Sequence, residues 1–216
     1  MVRFFRNGPV VDDPAVIAVI VLAAGGSSRM GRSKLLLEVE GESLLRRAAR
    51  CAAEAAIGPA IVVLGAEAER ARRELEGLPC VAVEDSGLTS RGMNGSLAAG
   101  VRALPEGVRG AVVLLADMPF VTAAHVRALA ERHRATGAPL VVTRHGAALA
   151  PPVLYDEALL PELAAGGDGD GRGRELIRRH RERAELVDAP AAALEDVDLP
   201  ADLSRVRARL RAGGAR

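Results

Sequence analysis

Gly25, Gly26, Ser27 and Ser28 follow a β-branched run, and Arg29, Gly31 and Lys34 come directly behind them. A loop of glycines and serines leaves backbone N–H groups free to point at an anion. Two cations close behind suit an anion with several negative charges. The stretch reads as a phosphate-binding loop; the competing reading is an ordinary tight turn between a strand and a helix. A second candidate lies further along, where the apolar run Ala111–Ala116 ends in Asp117, before Met118 and Pro119. A single carboxylate at the tip of a buried strand, near a phosphate loop, is a natural Mg²⁺ ligand, because Mg²⁺ takes one or two carboxylates together with substrate phosphates. The competing role, capping the next helix, falls better to Thr122. Glu84–Leu97, rich in glycine and small polar residues and holding Asn94 and Ser96, reads either as a second ligand-contacting loop or as a surface loop.

These residues need elements that bring strand ends together. Val16–Leu22 reads as a buried first strand, and Ala60–Gly65, Val81–Val83, Gly110–Ala116, Pro139–Val142 and Glu185–Val187 as further strands. Leu35–Val39 reads as a short extended piece. Helices are expected over Leu44–Ala56 behind the cap Ser43, and over Glu67–Leu75, Ser96–Leu104, Thr122–Arg134 and Glu175–Arg181. Asp196–Leu203 opens a C-terminal helix, Ala150–Tyr155 returns toward the site, and Gly166–Arg174 reads as a loop. Strand and helix alternate, so the fold class is α/β with a mostly parallel sheet and right-handed crossovers. Ligands of such open sheets bind outside the carboxyl ends of the strands. Residues 1–14 read as a tail, 15–210 as one domain, and 211–216 as a second tail that frays.

Composition narrows the partners. Apolar residues make up 49% of the 216, enough for a sizeable core. Aromatic residues are only 2%, too few for a stacking platform for single-stranded nucleic acid. Lys plus Arg is 29 against Asp plus Glu 28, so no global field favours DNA or a membrane. Cys51 and Cys80 read as small core residues, neither a disulfide framework nor a metal knuckle. His125 and His133 are eight apart and read as solvated. No apolar segment has the length to span a bilayer and the N-terminus lacks a secretory pattern, so a cytoplasmic protein is expected. A monomer is the expected oligomeric state.

Three phosphate-loop types compete for residues 22–34. The dinucleotide pattern G-x-G-x-x-G is absent after the first strand. The P-loop pattern is nearly present, with Gly26, Gly31, Arg32 and Ser33, but Arg replaces its lysine. The third fits best. Leu22-Ala23-Ala24-Gly25-Gly26-Ser27-Ser28-Arg29-Met30-Gly31-Arg32-Ser33-Lys34 resembles the signature L-A-A/G-G-x-S-x-R-M-G-x-x-K of the nucleotidyltransferases related to molybdenum cofactor biosynthesis. Gly92–Gly100, Leu115–Val121, Pro152–Tyr155, Gly169–Ile177 and Asp196–Leu203 resemble later segments of that family in order. The match is nearest to the cytidylyltransferases, through Leu22-Ala23-Ala24-Gly25 and Gly92-Met93-Asn94-Gly95-Ser96-Leu97, where guanylyl-transferring relatives tend to L-A-G-G and G-P-L-A-G. Ala150-Pro151 and Arg172 depart from the pattern where the acceptor end is expected.

The resemblance implies a three-layer, Rossmann-like nucleotidyltransferase fold and transfer of CMP from CTP, or another nucleotidyl group from its NTP, to a phosphorylated pterin-type acceptor. It implies nucleotide contacts from Leu22, Ala23, Ala24, Gly25, Gly26, Ser27 and Lys34, with Asn94 and Ser96 meeting base or ribose. Arg29 would hold the β- and γ-phosphates, Lys34 would sit at the α-phosphate, Asp117 and Asp198 would hold Mg²⁺, and Arg174 would meet the acceptor. A molybdenum enzyme receiving the product is the expected partner. Guanylyl transfer, a P-loop-like NTPase and a non-catalytic maturation partner are the alternatives.

Overall fold

β1 (Ile17–Ala23) is buried along its whole length, as a continuous apolar run should be when both faces of a parallel sheet are covered. The structure is a computed structural model and describes residues 16–24, 34–65, 67–84, 92–197 and 200–213. After β1, a 3₁₀ turn (Lys34–Leu36) leads into a small hairpin, β2 (Glu38–Val39) and β3 (Glu42–Ser43). Then follow α1 (Leu44–Ala55), β4 (Ala60–Leu64), α2 (Ala68–Glu74), β5 (Val81–Glu84), α3 (Gly92–Arg102) and β6 (Gly110–Leu115). The chain continues through α4 (Ala123–Thr136), β7 (Leu140–His145), β8 (Ala148–Asp156), α5 (Leu160–Ala164), α6 (Arg172–His180), β9 (Glu185–Asp188) and α7 (Pro200–Gly213).

Seven strands form one sheet in the order β5-β4-β1-β6-β8-β7-β9. Only β8 runs against its neighbours β6 and β7. The reversal pairs Gly110–Val113 of β6 with Val153–Asp156 of β8. Successive β1 side chains feed two separate cores. Ile17, Val19 and Val21 pack with α1 and α4, whereas Ala18, Ile20 and Leu22 pack with α3, α5 and α6. The result is a three-layer sandwich with a mostly parallel sheet, as expected. A third cluster joins Val39 and Leu44 to Val197, Leu203 and Val206, so α7 straps the hairpin that follows Lys34.

The expected helix caps are present: the Ser43 hydroxyl accepts from Arg46 N (3.1 Å) and the Thr122 hydroxyl from His125 N (3.2 Å). Elsewhere the sequence expectation needs correction. α3 begins at Gly92 rather than Ser96 and α6 at Arg172 rather than Glu175, because each start is fixed by hydrogen bonds from the other. Neither histidine is solvated: His133 is buried and pairs through Nε2 with Asp156 Oδ2 at 2.9 Å, and His125 is half-buried with its Nε2 bonded to the Thr143 hydroxyl. α5 had no sequence signal of its own, being five residues long. α7 runs through Gly213. Cys51 is a core residue as expected; burial pushes its thiol up to about 11. Among the described residues, no helix is long and apolar enough to cross a membrane.

Candidate active site

The outgoing ends of β1 and β6 meet one small polar centre. Ala24 continues β1 and is 8% exposed; Leu22 and Ala23 are likewise buried. A Cβ on Gly65, just past β4, would come within 2.8 Å of the Ala24 carbonyl oxygen, so only glycine lets the two segments pass this closely. Gly25, Gly26, Ser27 and Arg29 lie outside the described residues, as does Asp198.

Lys34 opens the 3₁₀ turn, and the next residue, Leu35, is anchored in the core under α1. Its Nζ donates to Asp117 Oδ2 at 2.7 Å, and the two side chains are only 14% and 19% exposed. Three contacts fix Asp117. Ala116 N donates to the Leu22 carbonyl (3.1 Å), Val197 N donates to the Asp117 carbonyl (3.2 Å), and Arg47 Nε donates to the Pro119 carbonyl (2.8 Å). The other carboxylate oxygen, Oδ1, is buried with no hydrogen-bond partner among the described residues.

A buried carboxylate oxygen without a donor is unfavourable and calls for a cation or ordered water. Hard carboxylate oxygen suits Mg²⁺ or Mn²⁺, so Asp117 fits a divalent ion. Among the described residues no group of three or more His, Cys, Asp or Glu side chains converges. A metal held by few protein carboxylates plus substrate oxygens is compatible with that. The Val197 contact brings the closing segment to the strand tip, with Asp198 next in the chain.

Beside this centre, between the sheet, α3 and α6, lies a pocket of about 340 Å³. Leu22, Leu97, Val113, Pro151, Val153 and Ile177 give it apolar walls. Met93 and Leu149, 41% and 44% exposed, flank it, together with Asp170 and Arg174. Tyr155 also lines it, and burial raises its phenol far above the ordinary range, so it stays neutral.

The remaining expected site residues divide. Arg174 is exposed at the pocket. Ser96 is buried, and its hydroxyl donates to the Gly92 carbonyl at 3.5 Å. Asn94 also lines the pocket, but its amide is bound to the segment before α6. Asp170 accepts from Met93 N at 2.7 Å and so holds the start of α3. Sequence reasoning assigned Asp170 no role; its one signal was its place in the Gly169-Asp170 motif. Of the two departures near the acceptor end, Ala150-Pro151 lines the pocket. Arg172 turns its guanidinium to the Glu162 carbonyl, 3.5 Å away.

The MobA-like NTP transferase domain matches residues 19–184. The chain belongs to this family. The purine catabolism protein PucB of Bacillus subtilis is 30% identical over 205 residues, covering 90% of this chain and 97% of its own. A probable molybdenum cofactor guanylyltransferase of Opitutus terrae is 36% identical over 110 residues, 51% of this chain and 52% of its own. The crystal structure of Rv0371c from Mycobacterium tuberculosis in complex with manganese superimposes with a TM-score of 0.70 at 25% identity, covering 90% of this chain and 99% of that one. This NTP transferase is therefore an enzyme of the nucleotidyltransferase class. Membership establishes nucleotidyl transfer and leaves the base open, since a guanylyl-transferring relative stands in the group.

Proposed function

We propose that the protein transfers CMP from CTP to the terminal phosphate of a molybdopterin-type acceptor and releases pyrophosphate. The observation that carries this reading is the Lys34–Asp117 pair at the outgoing ends of β1 and β6, with a buried carboxylate oxygen that has no hydrogen-bond partner among the described residues and an apolar pocket beside it.

The nucleophile is a phosphate oxygen, already anionic at neutral pH, so no general base is needed. The protein's work is positioning and charge neutralisation. The backbone of Ala24–Ser27 cradles the triphosphate and Arg29 holds the β- and γ-phosphates that leave. Lys34 turns from Asp117 toward the α-phosphate, where charge shifts in the transition state. Asp117, with Asp198, is suited to hold Mg²⁺. When bound, the ion neutralises phosphate charge and helps align the reactants. The pocket takes the body of the acceptor, and Arg174 supplies a cation at its rim. The preference for CTP rests on the resemblance of Leu22-Ala23-Ala24-Gly25 and Gly92–Leu97 to the cytidylyltransferase pattern, not on a contact of any one of these residues with the base. A monomer in the cytoplasm that passes its product to a molybdenum enzyme completes the reading.

The test is pyrophosphate release with Mg²⁺, each of the four NTPs in turn, and molybdenum-loaded molybdopterin. Release with CTP alone is expected. Release with GTP alone would keep the reaction and overturn the base. Phosphate in place of pyrophosphate would make the protein an NTPase, and CTP binding without release would reject the pterin acceptor.

A further inference from the structure

The start of α3 and the segment leading into α6 are locked together. Asn94 is 7% exposed. Its Nδ2 donates to the Asp168 carbonyl at 3.2 Å, and its Oδ1 accepts from Arg172 N at 3.1 Å. Its backbone N donates to the Gly169 carbonyl at 2.9 Å. One residue earlier, Met93 N donates to Asp170 Oδ1 at 2.7 Å. A Cβ on Gly92 would meet that same Asp170 oxygen at 2.5 Å, so the approach is as close as glycine allows. An asparagine amide offers one carbonyl oxygen and two N–H groups. Each of its two heavy polar atoms makes one bond to this segment, which fixes the plane of the amide and leaves one N–H over.

These bonds have a destination. The segment Gly166-Gly167-Asp168-Gly169-Asp170-Gly171 is rich in glycine, which makes an ordered shape expensive in entropy. Arg172, bonded to Asn94, is the first residue of α6, and Arg174 and Ile177 of α6 line the pocket. Asp170, bonded to Met93, lines it as well. The clamp therefore shapes the wall of the pocket.

We infer that Asn94 and Asp170 are positioning residues for the acceptor, through the 168–172 loop and the start of α6, and that Asn94 does not read the nucleotide. This rests on the reading that the pocket takes the acceptor. The clamp sits where the segment expected to meet the nucleotide joins the segment expected to meet the acceptor. It fixes the second onto the first.

The experiment compares Asn94→Ala, Asn94→Asp and Asp170→Ala with the double variant N94A/D170A. CTP affinity is measured by calorimetry without acceptor, backbone amide exchange over residues 168–174 by mass spectrometry, and KM for molybdenum-loaded molybdopterin by pyrophosphate release. Asn94→Ala should speed exchange and raise the acceptor KM about tenfold, with CTP affinity within about twofold of wild type, because the lost bonds hold a loop and not the nucleotide. Asn94→Asp keeps the oxygen facing Arg172 N and should fall between Asn94→Ala and wild type. The double variant should be no worse than either single change, since residues of one network are not additive. Weaker CTP binding with unchanged exchange would overturn the inference, as would additive effects of the two changes. Wild type that binds CTP but turns over no pterin would reject the proposed acceptor alone. Exchange and CTP affinity would still decide the role of Asn94.

Discussion

The two halves of the candidate site are made of opposite materials. At the tip of β6, Lys34 and Asp117 face each other at 2.7 Å, part-buried, and the second carboxylate oxygen has no hydrogen-bond partner among the described residues. A short distance away, the pocket between α3 and α6 is walled by aliphatic side chains, and its polar neighbours Asn94 and Asp170 are spent on holding a loop. On the proposed reading, charge would stand where a phosphate reacts, and shape where the acceptor is chosen. Damage to the first half should appear in kcat, and damage to the second in the acceptor KM.

The largest expected effect follows from removing the carboxylate. Asp117→Ala should lower kcat by at least about a hundredfold, the scale of losing one electrostatic contact to a reacting phosphate. Its melting temperature should also fall, because the change takes the Oδ2 partner away from the part-buried Lys34 ammonium; Asp117→Asn, which keeps an oxygen there, should melt closer to wild type and still lose turnover. Unchanged turnover would remove Asp117 from the chemistry and erase the contrast. Lys34→Ala should come next, lowering kcat about tenfold to a hundredfold with CTP affinity little altered. A loss confined to KM would make Lys34 a ground-state contact.

The pocket half is sharpened by filling it. Ala150→Leu, at a half-buried lining position, should raise the acceptor KM about tenfold while leaving CTP affinity and melting unchanged. If kcat falls with CTP alone as the varied substrate, the two halves are not separate.

The smallest effect is a pH dependence behind the pocket wall. His125 Nε2 donates to the Thr143 hydroxyl (2.8 Å), which donates in turn to the Pro152 carbonyl (2.5 Å). Burial, and then the nearby His145, hold the His125 pKa below its ordinary value of 6.5. The folded state therefore favours the neutral ring. Its contribution to stability is full above about pH 6.5 and is lost as the pH falls, while the unfolded chain takes up the proton first. Between about pH 7 and pH 5, wild type should lose more melting temperature than His125→Gln. Equal slopes would show that this ring does not titrate against folding.

Much of the charged half was legible in the sequence. β1 and β6 are unbroken apolar runs, and an acidic residue ending such a run stands out. The walls of the pocket were less so. They depend on β8 running backwards beside β6, a choice that no local pattern encodes. The starts of α3 and α6 were misplaced by a few residues for a related reason. The bonds that fix them join residues 74 to 78 positions apart, so local propensity had nothing to report. His133 was misread because its partner Asp156 lies 23 residues on, across a helix and two strands.

The strap formed by Val197 and α7 has a consequence for the order of events during translation. Once β9 has left the ribosome, a nascent chain holds every strand of the large sheet. It still lacks the contact from Val197 to the Asp117 backbone and the helix that covers the hairpin after Lys34. The growing polypeptide thus holds its sheet before the strap that fastens the strand tip carrying Asp117.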